Sequence, residues 1–131
     1  MSSPISMPDI RLPNLRLAEI SYGQALAIEG YGPGFFRVGK HLLRGACLVT
    51  PWDAGPWGGL DDWAGPLTLA GRIDVLLVGT GAEIAPVPAA FRAALEAAGI
   101  GVEVMNSPAA ARTYNVLLGE GRRIAVCLTP V

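Results

Sequence analysis

The stretch Met105–Arg123, MNSPAAARTYNVLLGEGRR, decides the fold. It reads as a helix start, a largely buried helix, a glycine stop and the entry to a strand. Ser107 is a good N-cap, because its hydroxyl can accept from a free backbone N–H of the first turn. Pro108 suits the first helical position, where a missing N–H costs nothing. Gly119 or Gly121 can close the helix in a left-handed conformation. Over Ser107–Leu118, Ala110, Ala111, Tyr114, Leu117 and Leu118 share one side, and Ala109 and Val116 extend it. Pro108, Arg112, Asn115 and Gly119 fall in a narrow opposite arc. A helix this apolar around its circumference is covered on most sides. Arg112 and Asn115 then face solvent or the wall of a cleft.

Further toward the N-terminus the period changes twice. Gly101–Met105 reads as a strand and Pro88–Ala98 as a helix, with Phe91, Ala94, Leu95 and Ala98 on one face and Arg92 and Glu96 opposite. Gly99 stops that helix. Val75-Leu76-Leu77-Val78 is a continuous apolar run ending in Gly79-Thr80-Gly81, as expected of a strand covered on both faces. On the other side of the opening stretch, Ile124–Leu128 reads as a last strand. Strand, helix, strand, helix, strand predicts an α/β fold whose first two strands pair in parallel through a crossover helix.

The first half carries a different pattern. Residues 1–18 hold Pro4, Pro8 and Pro13 among scattered apolar residues and read as an extended arm, with 19–131 forming one domain. Ile20–Tyr22 and Gln24–Glu29 read as short strands, Gly30–Gly34 as a turn, Phe35–Val38 as a strand and His41–Thr50 as a longer one, a β-rich meander. Pro51–Pro66 reads as a loop with four Gly and three Pro. It contains all three tryptophans, Trp52, Trp57 and Trp63.

Composition narrows the function classes. The 131 residues are 51% hydrophobic and 16% charged, a globular balance. A net charge of -1 supplies no electrostatic drive toward nucleic acid or an anionic membrane, and no apolar run is long enough for a membrane span. Without a secretory-type leader, the expected location is the cytoplasm. Cys47 and Cys127 lie in separate apolar runs and are expected to be buried free thiols. With His41 the single histidine and no Cys-x-x-Cys spacing, no metal site is expected.

Three sets of residues are candidate sites. Gly79-Thr80-Gly81 follows a buried strand, as a dinucleotide-binding turn does. The third glycine of that fingerprint is replaced by Ile84, and Pro86 and Pro88 delay the helix, so no nicotinamide cofactor is expected, nor any other. This loop and the Asn106-Ser107 turn still follow the carboxyl ends of strands expected to be neighbours. That is where open α/β sheets bind ligands, and the second helix would offer free N–H groups there. Gly79, Thr80, Gly81, Ser107, Arg112 and Asn115 are accordingly the candidates for a small-anion cleft, with Arg112 its cation or else the partner of Glu103 or Glu120. Trp52, Trp57 and Trp63, edged by Asp53, Asp61 and Asp62, either plug the sheet or form an apolar partner surface. No G-x-S-x-G, P-loop or other catalytic motif occurs. The functional expectation is a non-catalytic binding or assembly module holding a protein partner, with a second copy of the chain also open as partner. The alternative is a small-ligand protein or enzyme using the Gly79–Gly81 cleft.

From about Ile20 to Val131 the chain resembles the Mth938-domain family. The resemblance is carried by Leu77-Val78-Gly79-Thr80-Gly81, Gly101-Val102-Glu103-Val104-Met105, and Ala110-Ala111-Arg112-Thr113-Tyr114-Asn115-Val116-Leu117 with Glu120-Gly121-Arg122. Family members usually have Thr at the position of Ser107 and often Cys at that of Ala111. The resemblance implies a three-layer α/β fold: a central mixed sheet with helices and an additional β layer from the N-terminal half. It implies no established enzymatic activity. It also implies a link to respiratory complex I assembly, the role of a mitochondrial member of the family.

Overall fold

A computed structural model describes residues 25–131, so the arm expected at 1–18 and the strand expected at Ile20–Tyr22 lie outside the described residues. Eleven elements follow in order: β1 Ile28–Gly32, β2 Phe35–Val38, β3 His41–Arg44, β4 Cys47–Val49, β5 Ala54–Pro56, α1 Ala64–Leu67, β6 Val75–Gly79, α2 Ala89–Ala97, β7 Gly101–Met105, α3 Ser107–Gly119 and β8 Ile124–Leu128. The C-terminal half matches its sequence pattern closely, because each helix is bounded by local chemistry. Gly99 (φ 85°) and Gly121 (φ 74°) occupy the left-handed region just beyond α2 and α3.

The first half differs in four places. In the strand expected at Gln24–Glu29, the described residues 25–27 are not strand, and β1 starts only at Ile28. His41–Thr50 is not one strand: Gly45 (φ 80°) breaks it, so β3 and β4 enter different sheets. The turn expected at Gly30–Gly34 is confined to its last two residues, and Gly30–Gly32 belong to β1. The Pro51–Pro66 segment is not all loop. Thr50 Oγ accepts from the backbone N–H groups of Trp52 and Asp53, which tightens a turn and lays β5 against β4. The short α1 begins at Ala64.

β1–β2–β3 form an antiparallel three-stranded sheet, and the second sheet runs β5–β4–β8–β6–β7. Within the second sheet β6 is parallel to both β7 and β8, while β4 is antiparallel to β5 and β8. The chain therefore steps from β6 to β7, then back across β6 to β8. Crossovers of one hand running in opposite directions put their helices on opposite faces. Side-chain alternation shows this: Leu77, Ile124, Val126 and Leu128 pack with Ala110, Ala111 and Tyr114 of α3. Leu76, Val78, Ala125 and Cys127 pack with Phe91 and Leu95 of α2 and with Trp57.

The three-stranded sheet shares the α3 side, contributing Ile28, Phe36 and Val38 to that core. The layers are thus α1 and α2, the mixed sheet, and α3 together with the additional sheet. Tyr114 ties this last layer together: its ring is fully buried and its hydroxyl donates to the Leu26 carbonyl at 2.7 Å. Leu117 and Leu118 are half-buried against the same core. Val116, expected to extend the apolar side, is 59% exposed. The additional sheet covers the Asn115 side of α3 instead.

Cys47 and Cys127 are both buried and free. Leu48, not Cys47, is paired with Cys127, so the two thiols point to opposite faces of the sheet and enter different halves of the core. Burial pushes Cys47 from 9.0 up to about 12. Burial also raises Cys127, with smaller contributions from Cys47 and Asp62, and raises Tyr114, with a smaller contribution from Asp53.

These raised values set a pH dependence. A group whose folded pKa is raised favours the fold fully below its unfolded pKa and loses that contribution as pH climbs through the folded value. The Cys47 values place the loss between pH 9.0 and about 12. The expected result is a urea midpoint that falls steadily with pH across that window, with no counter-trend from the other two buried groups. A midpoint that rises there would contradict the burial described.

Candidate functional site

The carboxyl ends of β6 and β7 are adjacent, and their connections leave toward α2 and α3 on opposite faces. This is the switch point at which open α/β sheets hold ligands. It brings together four of the six cleft candidates, Gly79, Thr80, Gly81 and Ser107, and joins them through the protein's own hydrogen bonds. The Thr80 N–H donates to Met105 O at 3.0 Å, the Ser107 N–H to Gly81 O at 2.8 Å and the Thr129 N–H to Gly79 O at 2.9 Å. The Gly81 N–H donates to Ser107 Oγ at 2.9 Å, and that hydroxyl in turn donates to Thr129 O at 2.6 Å. Ser107 is fully buried.

Ser107 is not the N-cap of α3. Asn106 is, its Oδ1 accepting from the Ala109 N–H at 2.8 Å. The Ser107 hydroxyl is engaged elsewhere, so the neighbouring Asn caps the helix. The consequence for anion binding is direct. Pro108 has no N–H, Ser107 and Ala109 donate as described, and the Ala110 N–H donates to Asn106 O at 2.9 Å. The donors expected to be free in the first turn of α3 already have acceptors.

Two glycines are dictated by this closure. A Cβ on Gly79 would stand 2.7 Å from Ser107 Cα and 2.8 Å from its Oγ. Gly81 has φ 107°, which side-chain-bearing residues rarely adopt. The Thr80 hydroxyl donates to Glu83 O and accepts from the Ala85 N–H, which folds the following loop back onto the strand end. Thr129, which nothing in the sequence pattern marked, completes the cluster. The missing signal was the pairing of β8 beside β6, which brings Thr129 to the same edge. Its hydroxyl oxygen is buried without a hydrogen-bond partner among the described residues.

The other two candidates lie elsewhere on α3. Asn115 faces β1: the Ile28 N–H donates to its Oδ1 at 2.9 Å, and its Nδ2 donates to Ile28 O at 2.8 Å. It satisfies an edge-strand residue as a neighbouring strand would. Arg112 is exposed, and among the described residues it forms no ion pair with Glu103 or Glu120.

The tryptophans part company as well. Trp57 is buried, packs edge-on against Phe91 with centroids 6.1 Å apart, and donates from Nε1 to Asp62 O. The Asp62 carboxylate accepts from the Gly58 and Gly65 N–H groups and so holds the loop around that ring. Trp52 is half-buried beneath the Arg72 guanidinium, 4.2 Å from the ring centroid. Trp63 is 39% exposed. Among the described residues no three of His, Cys, Asp and Glu gather where they could hold a metal. The displaced acid–base groups Cys47, Cys127 and Tyr114 lie in the core, and burial holds the thiols in their protonated, unreactive form.

Residues 28–129 match the family model described as protein of unknown function (DUF498/DUF598), and the chain belongs to that family. It is 48% identical to an uncharacterized protein of Rhodobacter capsulatus, over 86% of this chain and 91% of the relative. It is 28% identical to the human NADH dehydrogenase (ubiquinone) 1 alpha subcomplex assembly factor 3, over 88% of this chain and 67% of that protein. A crystal structure described as an outer membrane protein from Bartonella henselae matches with a TM-score of 0.75 and 34% identity, covering 82% of this chain and 96% of that one. The solution structure of a Mth938-like domain from Bordetella pertussis matches at 0.70 and 27%, covering 88% and 92%.

Replacing Ser107 by Ala removes the acceptor of the Gly81 N–H and the donor to Thr129 O inside a buried cluster. The expected loss is about 1–3 kcal/mol of stability. Asn115→Ala, which strands both backbone groups of Ile28, should cost a similar amount. Urea denaturation checks both. A Ser107→Ala loss below about 0.5 kcal/mol would mean that other groups take over its bonds.

Proposed function

From membership of this family and the closure of the switch point, we propose that the protein is a non-catalytic module that binds a protein partner. Its working context is the cytoplasm, and its role lies in assembling a respiratory complex. The observation that carries this reading is the hydrogen-bonded cluster of Gly79, Thr80, Gly81, Ser107 and Thr129. Apart from the buried Thr129 hydroxyl, the polar groups that would grip a small ligand there are engaged within the protein. Catalysis also requires titratable groups poised near neutral pH, and among the described residues Cys47 and Cys127 are held protonated by burial. Trp63, Ile84 and Val116 are 39%, 64% and 59% exposed, separate apolar side chains open to a partner. The assembly context rests on the name of the human relative. Arg112 and Trp63 are the two sequence candidates left accessible to a partner.

Affinity purification of the tagged protein from its own host, comparing wild type with Arg112→Ala and Trp63→Ala, tests this. A variant that loses a partner retained by the wild type places the contact at that residue, and a partner kept by both places it elsewhere on the surface. If no partner appears and the purified protein turns over a metabolite, the reading fails. Trp57→Ala is unsuitable, since it would empty part of the core.

A further inference from the structure

The three-stranded sheet has one face against the core and one face outward. In antiparallel pairs, directly opposite residues share a face. Phe35 opposes Arg44 and Arg37 opposes Leu42, so all four stand on the outward face. Gly30 and Gly32 of β1 oppose Arg37 and Phe35 and complete it. The burial pattern agrees: Phe36 and Val38 are fully buried on the inner face, whereas Arg37, Leu42 and Arg44 are exposed.

This face is an unusual one for an isolated domain to keep. Leu42 is 43% exposed between two arginines. Among the described residues nothing lies within 4 Å of where a side chain on Gly30 would begin, and the Phe35 ring lies over Gly32. The result is a bare shelf on β1 beside an aromatic ring and a leucine. Lys40 extends the positive charge at the β2–β3 turn. Three other arginines are engaged, Arg92 with Glu96, Arg123 with Asp74 and Arg72 on Trp52, while Arg112 and Arg122 stand exposed on or just after α3. Among the described residues, Arg37, Lys40 and Arg44 have no acidic partner. The chain as a whole carries a net charge of -1, so this patch is a local segregation and not a by-product of a basic protein.

We propose that the outward face of the β1–β2–β3 sheet docks an acidic segment of a partner protein, one that carries an apolar side chain between Asp or Glu residues. The apolar group rests on Leu42, Phe35 and the Gly30 shelf. The flanking carboxylates pair with the Arg37 and Arg44 guanidinium groups, whose planar forks suit bidentate contact. Nucleic acid is the weaker fit: three cations on a chain of net charge -1 fall short of the roughly six or more phosphate contacts typical of such binding. The proposal rests on the partner-binding reading above and specifies where the partner sits and what chemistry it presents.

Lys40 is the only lysine in the sequence, which gives the test its selectivity. A carbodiimide couples an amine to a carboxylate only when the two are in contact. Apart from the chain's terminal amine, Lys40 is therefore the sole site through which this protein can be joined to a partner's acid. The tagged full chain is treated with carbodiimide in host extract, and the joined peptides are sequenced. Three forms are compared: wild type, Arg37→Glu/Arg44→Glu, and Arg92→Glu as a control on α2, across the mixed sheet from this face. A labelled single-stranded oligonucleotide is titrated against the purified wild type in parallel, at physiological salt.

The expected result is a Lys40 link to an Asp or Glu of a partner, reduced about tenfold or more by the double reversal and unchanged in the control. A partner that co-purifies equally with wild type and the double reversal overturns this surface and leaves the partner-binding reading intact. The absence of any partner in all three forms overturns both. Oligonucleotide binding that the double reversal abolishes, without an acid-linked partner, assigns the face to nucleic acid and overturns the proposal. Circular dichroism of the double reversal shows that it folds, and Leu42→Ser supplies a second variant that keeps every charge and should weaken the same link.

Discussion

β6 and β8 sit side by side in the middle of the five-stranded sheet, and nearly every residue in them is buried. Buried parallel strands of this kind need a cover on both faces. One helix cannot supply two faces, so the connections from β6 and from β7 must leave in opposite directions. That single requirement places α2 and α3 on opposite sides. It also determines where the N-terminal half must go. The α3 face is wider than one helix can cover, and Ile28, Phe36 and Val38 of the additional sheet fill the remainder. Tyr114 and Asn115 then do what a neighbouring strand would do for β1, meeting the backbone at Leu26 and Ile28.

The same arrangement creates a crevice at the strand ends and closes it. In a ligand-binding α/β protein, a glycine-rich turn leaves its N–H groups pointing at an anion. Here a serine from the next connection is inserted into that space. Its hydroxyl serves as acceptor for one loop and donor to another, and the absence of a side chain on Gly79 makes the approach sterically feasible. The glycines of such a turn can therefore reflect close packing of backbone against backbone as readily as phosphate binding. Exposed rings, aliphatic side chains and guanidinium groups stand on the outside of the fold instead.

Much of the fold was legible because the signals in the second half are local. Gly99 and Gly121 end helices by their own conformational freedom, Val75–Val78 announces a strand covered on both faces, and β7 and β8 keep their expected limits. The first half was less legible because its decisive features are non-local. A single glycine at position 45 sends β4 to a sheet built mostly by residues that follow much later. β5 becomes a strand only because β4 is there to pair with it. The candidate cleft was half legible. Periodicity placed Arg112 and Asn115 on one arc, but it could not say that β1 would arrive beside Asn115 and leave Arg112 outside. Capping chemistry alone favours Ser107 as much as Asn106; only the third strand end, with Thr129, decides that the Ser107 hydroxyl is needed elsewhere.

The place of β8 in the sheet has a consequence for the order of events during synthesis. β4 pairs with β5 on one side and with β8 on the other, and β8 is also the neighbour of β6. A ribosome therefore releases both flanks of the sheet before the strand that belongs between them. Until Ile124–Leu128 emerges, the inward edges of β4 and β6 lack a partner, and Val49, Leu76 and Leu77 lack the side chains they pack beside. Completion of the sheet must wait for β8, and the nascent chain passes through an interval in which two open edges can attract other strands. A chaperone that holds those edges apart would act in that interval, before the mature surface exists for any partner to recognise.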